Sequence, residues 1–532
     1  MTQRWPRIKH LTRFLGGGLA AILLQSLVLA APGFSADRVY VSYGPLERSV
    51  TVENLRTYAR TGQLTDDLIG YRRFLTAEQL KQFRSGLTVS TDLDVVTVAQ
   101  FLYTPQGETM LQLLGEVIQT AGRQNGAQAI RGALILAAAD GDGLSLLDVL
   151  DYFPTGGVRV DLQRLSSVAQ VVLGEINQTQ QATAQIRERA AAAAPELPLA
   201  PAADPAEIGP YRWQRRSLDL HLATNLYLPE GQDAPLVVIS HGLGGNRSTL
   251  AYLAEHLASH GLAVAVVEHP GSSAEQINAL LSGQTSQAIR PEEMIGRPTD
   301  IQALLDDLER AARDPAIGSR INLNQIGVLG QSLGAYTTLA LAGATVEPTA
   351  LEQSCPPELS SQANLSLLVQ CSVLTLPQPL PSLQDSRVKA AIAINPLGSA
   401  VFGPAGIANI EVPLMLISGS ADTVTPALAE QIRPFTWLQT PERYLLLMEN
   451  GTHFSTIYDA EDTEAVLPVP REVIGPNPKA AQTYARAMGV AFFKTYLAED
   501  DAYRQYLEPS YAAALSQPDL PAYLVRDFTI QD

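Results

Sequence analysis

The sequence predicts an α/β fold, a mostly parallel sheet with helices on both faces and a cap-like insertion, preceded by a small all-α domain. Three observations carry this. From Tyr211 onward, short runs of Val, Ile and Leu alternate with helical stretches, the pattern of strands buried on both faces and joined by crossover helices. Before that point, residues 37–160 show helical periodicity and capping signals. Between the two stand Pro195, Pro198, Pro201, Pro205 and Pro210, a spacing that forbids helix and favours an extended tether. A chain of 532 residues also exceeds what one compact core accommodates.

Residues 1–36 read as an export signal. Arg4, Arg7, Lys9 and Arg13 precede the apolar stretch Phe14 to Ala31, and small residues follow at Ser35-Ala36. Cleavage after Ala36 is the expectation, although Phe34 stands where a small side chain is usual. Left uncleaved, residues 14–31 are long enough to anchor the chain in a bilayer. Both outcomes place the bulk outside the cytoplasm, in the periplasm or cell envelope.

In residues 37–160, Thr51 opens a run that stops at Gly62. Thr76-Ala-Glu-Gln79 is a capping box whose helix ends near Gly86. Further helices are expected at about 94–103, 108–120, 128–139 and 145–152. Asp140-Gly-Asp142-Gly143 is similar to the start of a calcium loop, but Leu144, Leu146 and Leu147 are residues of a buried helix. A turn followed by a Ser145 cap, closed by Asp148, fits better. Residues 161–210 read as a helix and linker, with Leu162, Leu165, Val168, Ala169, Val172 and Ile176 on one stripe, so the first half of that helix should pack on something.

Residues 211–532 form the α/β domain. Tyr211 to Leu222 and Asn225 to Pro229 open it as a strand pair, and His221 falls within the pair. Leu236 to Ser240 and Leu262 to Val267 are buried strands. A polar excursion, Ser272 to Arg297, leads to a helix starting at Thr299 or Asp300. An apolar run of strand type from Ile326 enters Gly330-Gln331-Ser332 next. An insertion at about 345–386 holds Cys355 and Cys371, expected as a disulfide in an oxidising compartment; without clustered histidines they make no zinc site. Val388 to Asn395 and Pro413 to Gly419 resume the sheet, Tyr444 to Met448 ends it, and Lys479 to Tyr496 is a closing helix.

Charge narrows the partners. With 37 basic against 54 acidic residues the net charge is −17, which repels phosphate backbones and excludes nucleic acid as an expected partner. Membrane association is expected only through residues 14–31, and the sequence names no protein partner.

The chemistry centres on Gly330-Gln331-Ser332-Leu333-Gly334, where a strand turns sharply into a helix. The bend leaves no room for side chains two residues either side of the serine, and holds its hydroxyl outward at the strand's end. A serine hydroxyl needs a base, and the base an acid that fixes its tautomer. Asp422 follows a buried strand in Ser418-Gly-Ser-Ala-Asp422, and His453 follows the last strand in Asn450-Gly-Thr-His453. The order Ser332, Asp422, His453 suits a triad at one sheet edge. Among the seven histidines only His453 lies after the acid; His256 and His260 share a helix face without the metalloprotease pattern. The glycine-rich His241-Gly242-Leu243-Gly244-Gly245 offers the N–H of Leu243 as an oxyanion donor, with that of Leu333 as the second. His241, Gly242, Gly244, His269 and Gln331 are expected to line the site. This chemistry calls for no metal and no organic cofactor.

At these residues the chain resembles the α/β-hydrolase superfamily over about 211–500. Ser240-His-Gly-Leu-Gly244, Arg297-Pro-Thr-Asp300 and Gly330-Gln-Ser-Leu-Gly334 look like the platelet-activating-factor acetylhydrolase and dienelactone hydrolase-like branch. Gly419-Ser-Ala-Asp-Thr-Val-Thr-Pro426 is similar to the acid loop of cutinase-like polyester hydrolases. The whole layout resembles exported cyanobacterial hydrolases with a helical domain of unknown function. The resemblance implies a serine hydrolase of carboxylic esters, with the triad and donors at the positions above. The nucleophile is a serine rather than the cysteine of true dienelactone hydrolases, so lactone specificity does not follow. The leucine- and proline-rich insertion suggests a lipid or other apolar acyl ester among small-molecule substrates. Acyl transfer by the same triad and an inactive envelope scaffold are the alternatives.

Overall fold

The computed structural model describes residues 35–73, 75–91, 93–141, 143–193, 204–231, 233–355, 364–457 and 471–530. The expected leader thus lies outside the described residues up to position 34, as do Asp142 and Pro195, Pro198 and Pro201 of the expected tether. Contacts divide the chain into two units. One comprises the described residues up to Leu102 with Met110–Leu165; the other comprises Tyr103–Thr109 and the described residues from Ser166 onward.

The first unit corrects the expectation of an all-α domain. It contains a four-stranded sheet ordered Leu46–Thr51, Arg38–Tyr43, Gly157–Asp161 and Ile118–Thr120. Arg38–Tyr43 pairs antiparallel with Leu46–Thr51 through a tight turn at Gly44, whose φ is +55°. It also pairs parallel with Gly157–Asp161, more than a hundred positions away. These strands are short, and their main partner is distant, so periodicity within a window does not reveal them. The helix caps do emerge locally. Thr51 accepts from the Asn54 N–H and Gly62 closes that helix at φ +74°. Thr76 with Gln79, and Ser145 with Asp148, form complete capping boxes. The core beneath gathers Val50, Leu55, Tyr58, Leu102, Leu111, Ala133 and Phe153.

In the second unit, nine strands run in the order Ala522–Val525, Arg443–Met448, Leu414–Gly419, Val388–Ile394, Ile321–Gln331, Ala234–Ser240, Ala263–Val267, Ala223–Pro229 and Trp213–Asp219. The middle six, from Arg443–Met448 to Ala263–Val267, are parallel; the outer pairings are antiparallel. Alternate residues face opposite layers. Leu236, Val238, Ala263 and Ala265 enter one core while Val237, Ile239, Val264 and Val266 enter the other. The strands therefore had to be apolar throughout, which made them visible in sequence.

The chain order reverses beside Ala234–Ser240, whose neighbours are Ile321–Gln331 and Ala263–Val267. Such a reversal opens a crevice at the strands' carboxyl ends. Gly330 pairs with Ser240, so two residues further on Ser332 stands level with Gly242. Register alone brings the serine to the glycine-rich loop.

Several boundaries differ from expectation. Arg443–Met448 is not the last strand, because Ala522–Val525 pairs antiparallel beyond it. Helix Pro478–Tyr496 is followed by two further helical segments before that edge strand. His221 sits in the turn between the opening strands. The excursion after Ser272 includes helix Ala274–Leu281, and the next helix begins at Glu293 and carries Pro298 inside it. Proline lacks an N–H, so the Met294 carbonyl four residues earlier is left without a helical donor. The Tyr336 hydroxyl donates to it at 3.0 Å, which explains why proline is tolerated there.

In helix Leu162–Ala193, Leu165, Val172 and Ile176 are exposed, whereas Ala182, Ile186 and Ala190 pack into the second unit's core. The apolar stripe thus misidentified the packing half; small residues let the other half approach closely. The tether's described end is fixed too, His256 and His260 donating to the carbonyls of Pro205 and Glu207 at 2.8 and 2.9 Å.

The insertion carries the Cys355–Cys371 disulfide. Its anchor is Glu430, 1% exposed, whose carboxylate accepts from Asn364, Ser366 and Gln370 of the insertion. The same carboxylate accepts from the Gly398 N–H and from the Ser399 N–H and hydroxyl. A buried charge with this many donors is satisfied, and it welds the insertion to the segment after Val388–Ile394.

Candidate active site

Ser332 joins strand Ile321–Gln331 to helix Leu333–Leu341 in a conformation few L-residues adopt, φ +57° and ψ −119°. Its N–H donates to the Ile394 carbonyl at 2.9 Å, which anchors the strained residue to the neighbouring strand. Both flanking glycines are sterically required. A Cβ at Gly330 would collide with the Gly334 carbonyl, and one at Gly334 with the Ser240 carbonyl.

The structure brings the three distant side chains together. His453 Nε2 lies 2.9 Å from Ser332 Oγ, and His453 Nδ1 lies 2.7 Å from Asp422 Oδ2. An ionised carboxylate only accepts, so Nδ1 carries the proton and Nε2 is the acceptor for the serine hydroxyl. Asp422 is held as firmly. Its Oδ1 accepts from the N–H groups of Val424 and Thr425, each at 2.8 Å, and its Oδ2 from the Thr425 hydroxyl at 2.8 Å. Ser332, Asp422 and His453 are 6%, 6% and 5% exposed, so the array is almost wholly buried.

Two further residues grip the histidine, and sequence reasoning did not find them in this role. Asn395 is fully buried at φ +44°. Its Nδ2 donates to the carbonyls of Thr452 and His453 at 3.2 and 3.3 Å, and its Oδ1 accepts from the Gly419 N–H at 3.1 Å. One side chain thus ties the acid loop to the histidine loop. The Thr425 hydroxyl, whose single proton goes to Asp422, also lies 3.2 Å from His453 Nδ1. The available signal was an asparagine at the end of a buried strand, level with the acid loop. Gln331, which was expected to line the site, is buried and donates to the His453 carbonyl at 3.2 Å.

On the opposite side, a Cβ at Gly242 would touch Ser332 Cβ at 3.3 Å and press on Gln331. The glycine-rich loop therefore lies directly against Ser332. The N–H groups of Gly244 and Gly245 are engaged by the carbonyls of Ser272 and Gly242, and Leu243, 38% exposed, sits between Gly242 and that engaged pair at the rim. Leu333 is the first residue of its helix, where N–H groups have no partner within the helix. His241 and His269 are placed behind the loop rather than on its open face, at 1% and 0% exposure. The His269 N–H donates to His241 Nε2 at 3.0 Å, which leaves His241 Nδ1 to donate to the Gly242 carbonyl at 2.6 Å. Burial and the neighbouring Arg297 push His241 down to about 3 and His269 well below the usual histidine range, so both are neutral.

A separate cavity of about 470 Å³ is walled by Glu175, Ala350, Leu367, Ala400, Arg433 and Trp437, with none of the three convergent residues on its lining. Among the described residues no cluster of His, Cys, Asp and Glu is arranged to hold a metal.

A family model described as alpha/beta hydrolase of unknown function (DUF1400) matches residues 35–161, and that of platelet-activating factor acetylhydrolase, isoform II, matches residues 214–320. The chain has the α/β-hydrolase fold. This α/β-hydrolase is 24% identical over 293 residues to cutinase 1 of Thermobifida cellulosilytica, covering 53% of the present chain and 77% of the relative. It is equally similar to a cutinase of Thermobifida fusca (strain YX), of which 67% is covered. A shorter segment of 58 residues is 43% identical to platelet-activating factor acetylhydrolase of Bos taurus, covering 11% and 13% of the two chains. With these relatives it is placed among the carboxylic ester hydrolases.

Proposed function

We propose that this α/β-hydrolase cleaves carboxylic esters through an acyl-enzyme formed on Ser332, and that it works outside the cytoplasm on apolar acyl or lipid-like esters. The observation that carries the mechanism is the unbroken chain Ser332 Oγ, His453 and Asp422 at 2.9 and 2.7 Å. Ser332 Oγ attacks the ester carbonyl carbon while its proton passes to His453 Nε2. Asp422 holds the imidazole in the required tautomer and stabilises the imidazolium. The tetrahedral oxyanion lies against the N–H groups of Leu243 and Leu333. As it collapses, His453 returns the proton to the leaving alcohol. Water, deprotonated by the same imidazole, then releases the acid and restores the serine.

Export is supported by the basic and apolar pattern of the first 36 residues and by the Cys355–Cys371 bond, which suits an oxidising compartment. The apolar acyl preference is supported by the leucine- and proline-rich insertion. A fluorophosphonate probe tests the mechanism: the intact protein is labelled and Ser332→Ala is not. Labelling that survives Ser332→Ala would refute it. Activity on p-nitrophenyl esters should rise with acyl length, and a sharp preference for acetate would refute the substrate reading.

A further inference from the structure

In a trans peptide, the carbonyl of one residue and the N–H of the next point in opposite directions within one plane. Whatever holds the Gly242 carbonyl therefore aims the Leu243 N–H the other way. Three donors converge on that carbonyl: the Gly245 N–H at 3.1 Å, His241 Nδ1 at 2.6 Å and Arg297 Nη2 at 3.5 Å. The preceding peptide is held from the same side, Arg297 Nη1 donating to the His241 carbonyl at 2.7 Å. One guanidinium thus fixes two consecutive peptide planes of the loop that lies against Ser332.

Arg297 is fully buried and reaches the loop from helix Glu293–Ala311. Its Nε donates to Ser272 Oγ at 2.8 Å, and that hydroxyl donates to Glu293 Oε2 at 2.9 Å. The Ser272 carbonyl in turn accepts the Gly244 N–H at 2.9 Å, so the clamp holds the loop from both flanks. Burying a cation costs several kcal/mol unless its partners compensate, and an apolar side chain would fill the same space more favourably. Among the described residues Arg297 makes no direct ion pair; its acceptors are two loop carbonyls and the Ser272 hydroxyl. Stability alone is therefore a poor reason for an arginine here.

We propose that Arg297 is a positioning residue for the oxyanion site. It locks the His241–Gly242 and Gly242–Leu243 peptides so that the Leu243 N–H is aimed before substrate arrives, and it sets a fixed positive charge behind that donor. Preorganised donors of this kind lower the barrier because nothing has to reorient as charge develops. Burial pushes the guanidinium down to about 9, which leaves it a cation at neutral pH.

The inference rests on the acyl-enzyme reading, and the experiment separates the two. Wild type, Arg297→Gln and Arg297→Lys are compared on a p-nitrophenyl ester, with a trifluoromethyl ketone as the oxyanion-forming inhibitor. In Arg297→Gln, kcat falls by roughly 100-fold, the scale of one lost oxyanion donor, while KM stays within about twofold. The ketone's Ki rises by the same factor as kcat/KM falls. Arg297→Lys recovers part of kcat, because an ammonium reaches only one of the two carbonyls. A lower melting temperature with unchanged kcat and Ki in the folded protein would overturn the proposal. Should Arg297→Gln not fold, Ser272→Ala loosens the guanidinium without removing it: a smaller fall in kcat at constant KM supports the role, and an unchanged kcat overturns it. Failure of the acyl-enzyme reading shows separately, as wild type without ester turnover or without labelling at Ser332.

Discussion

Asn395→Ala should disable the site from a position that touches neither substrate nor nucleophile. The substitution removes two donations to the Thr452 and His453 carbonyls and strands the Gly419 N–H, which Asn395 Oδ1 accepts at 3.1 Å. An unpaired buried donor costs about 1–3 kcal/mol. Alanine at φ +44° adds roughly 1–2 kcal/mol that asparagine largely avoids. With the two longer bonds at 3.2 and 3.3 Å, the total is about 3–5 kcal/mol. The functional loss comes from releasing the His453 backbone, so kcat should fall at least tenfold with little change in KM. Asn395→Gly separates the causes: it accepts the positive φ but restores no hydrogen bond, so it should be about 1 kcal/mol more stable than Asn395→Ala while remaining as slow. Urea unfolding and ester kinetics on the three proteins decide it. Stability within 1 kcal/mol of wild type together with kcat within twofold would refute the reasoning.

Three further outcomes are expected. Asp422→Asn preserves the shape but offers an amide to His453 Nδ1, favouring the wrong tautomer; kcat should drop by about 10⁴, measured under single-turnover conditions. Replacing both Cys355 and Cys371 by serine frees a loop with sequence separation 16, lowering stability by roughly 3 kcal/mol on the loop-entropy estimate, read by denaturant midpoint under oxidising conditions. Acidification should destabilise the protein as pH falls below about 6.5. Buried His241, held down to about 3, and His269 stay neutral when folded but bind protons when unfolded, so each removes up to about 1.4 kcal/mol per pH unit above its folded pKa. Chemical unfolding at pH 7 and pH 5 checks this, and equal stability at both would contradict the neutral-histidine assignment.

The legible parts of the fold were those set by near neighbours. Thr51, Thr76 and Ser145 cap helices through bonds three residues long, and a sequence window contains all of that information. Strands such as Ala234–Ser240 and Ala263–Val267 announced themselves because both faces are buried. The short strands of the first unit did not, since Arg38–Tyr43 finds its parallel partner at Gly157–Asp161. Nor did the exposed stripe Leu165, Val172, Ile176 show which half of its helix packs; periodicity reports an apolar face, not what covers it.

By itself, the sequence determined the chemical groups and the local geometry that presents them: a serine between two glycines that tolerate no Cβ, an acid and a histidine each just past a buried strand, and their order along the chain. Only the tertiary structure decided that these groups meet at 2.9 and 2.7 Å, that Asn395 laces two loops to one another, and that Arg297 stands behind the glycine-rich loop. The physical reason is reach. Turns and caps are fixed by residues a few positions apart, whereas an imidazole 121 positions from its serine is placed by sheet register and by buried hydrogen bonds that no local window contains.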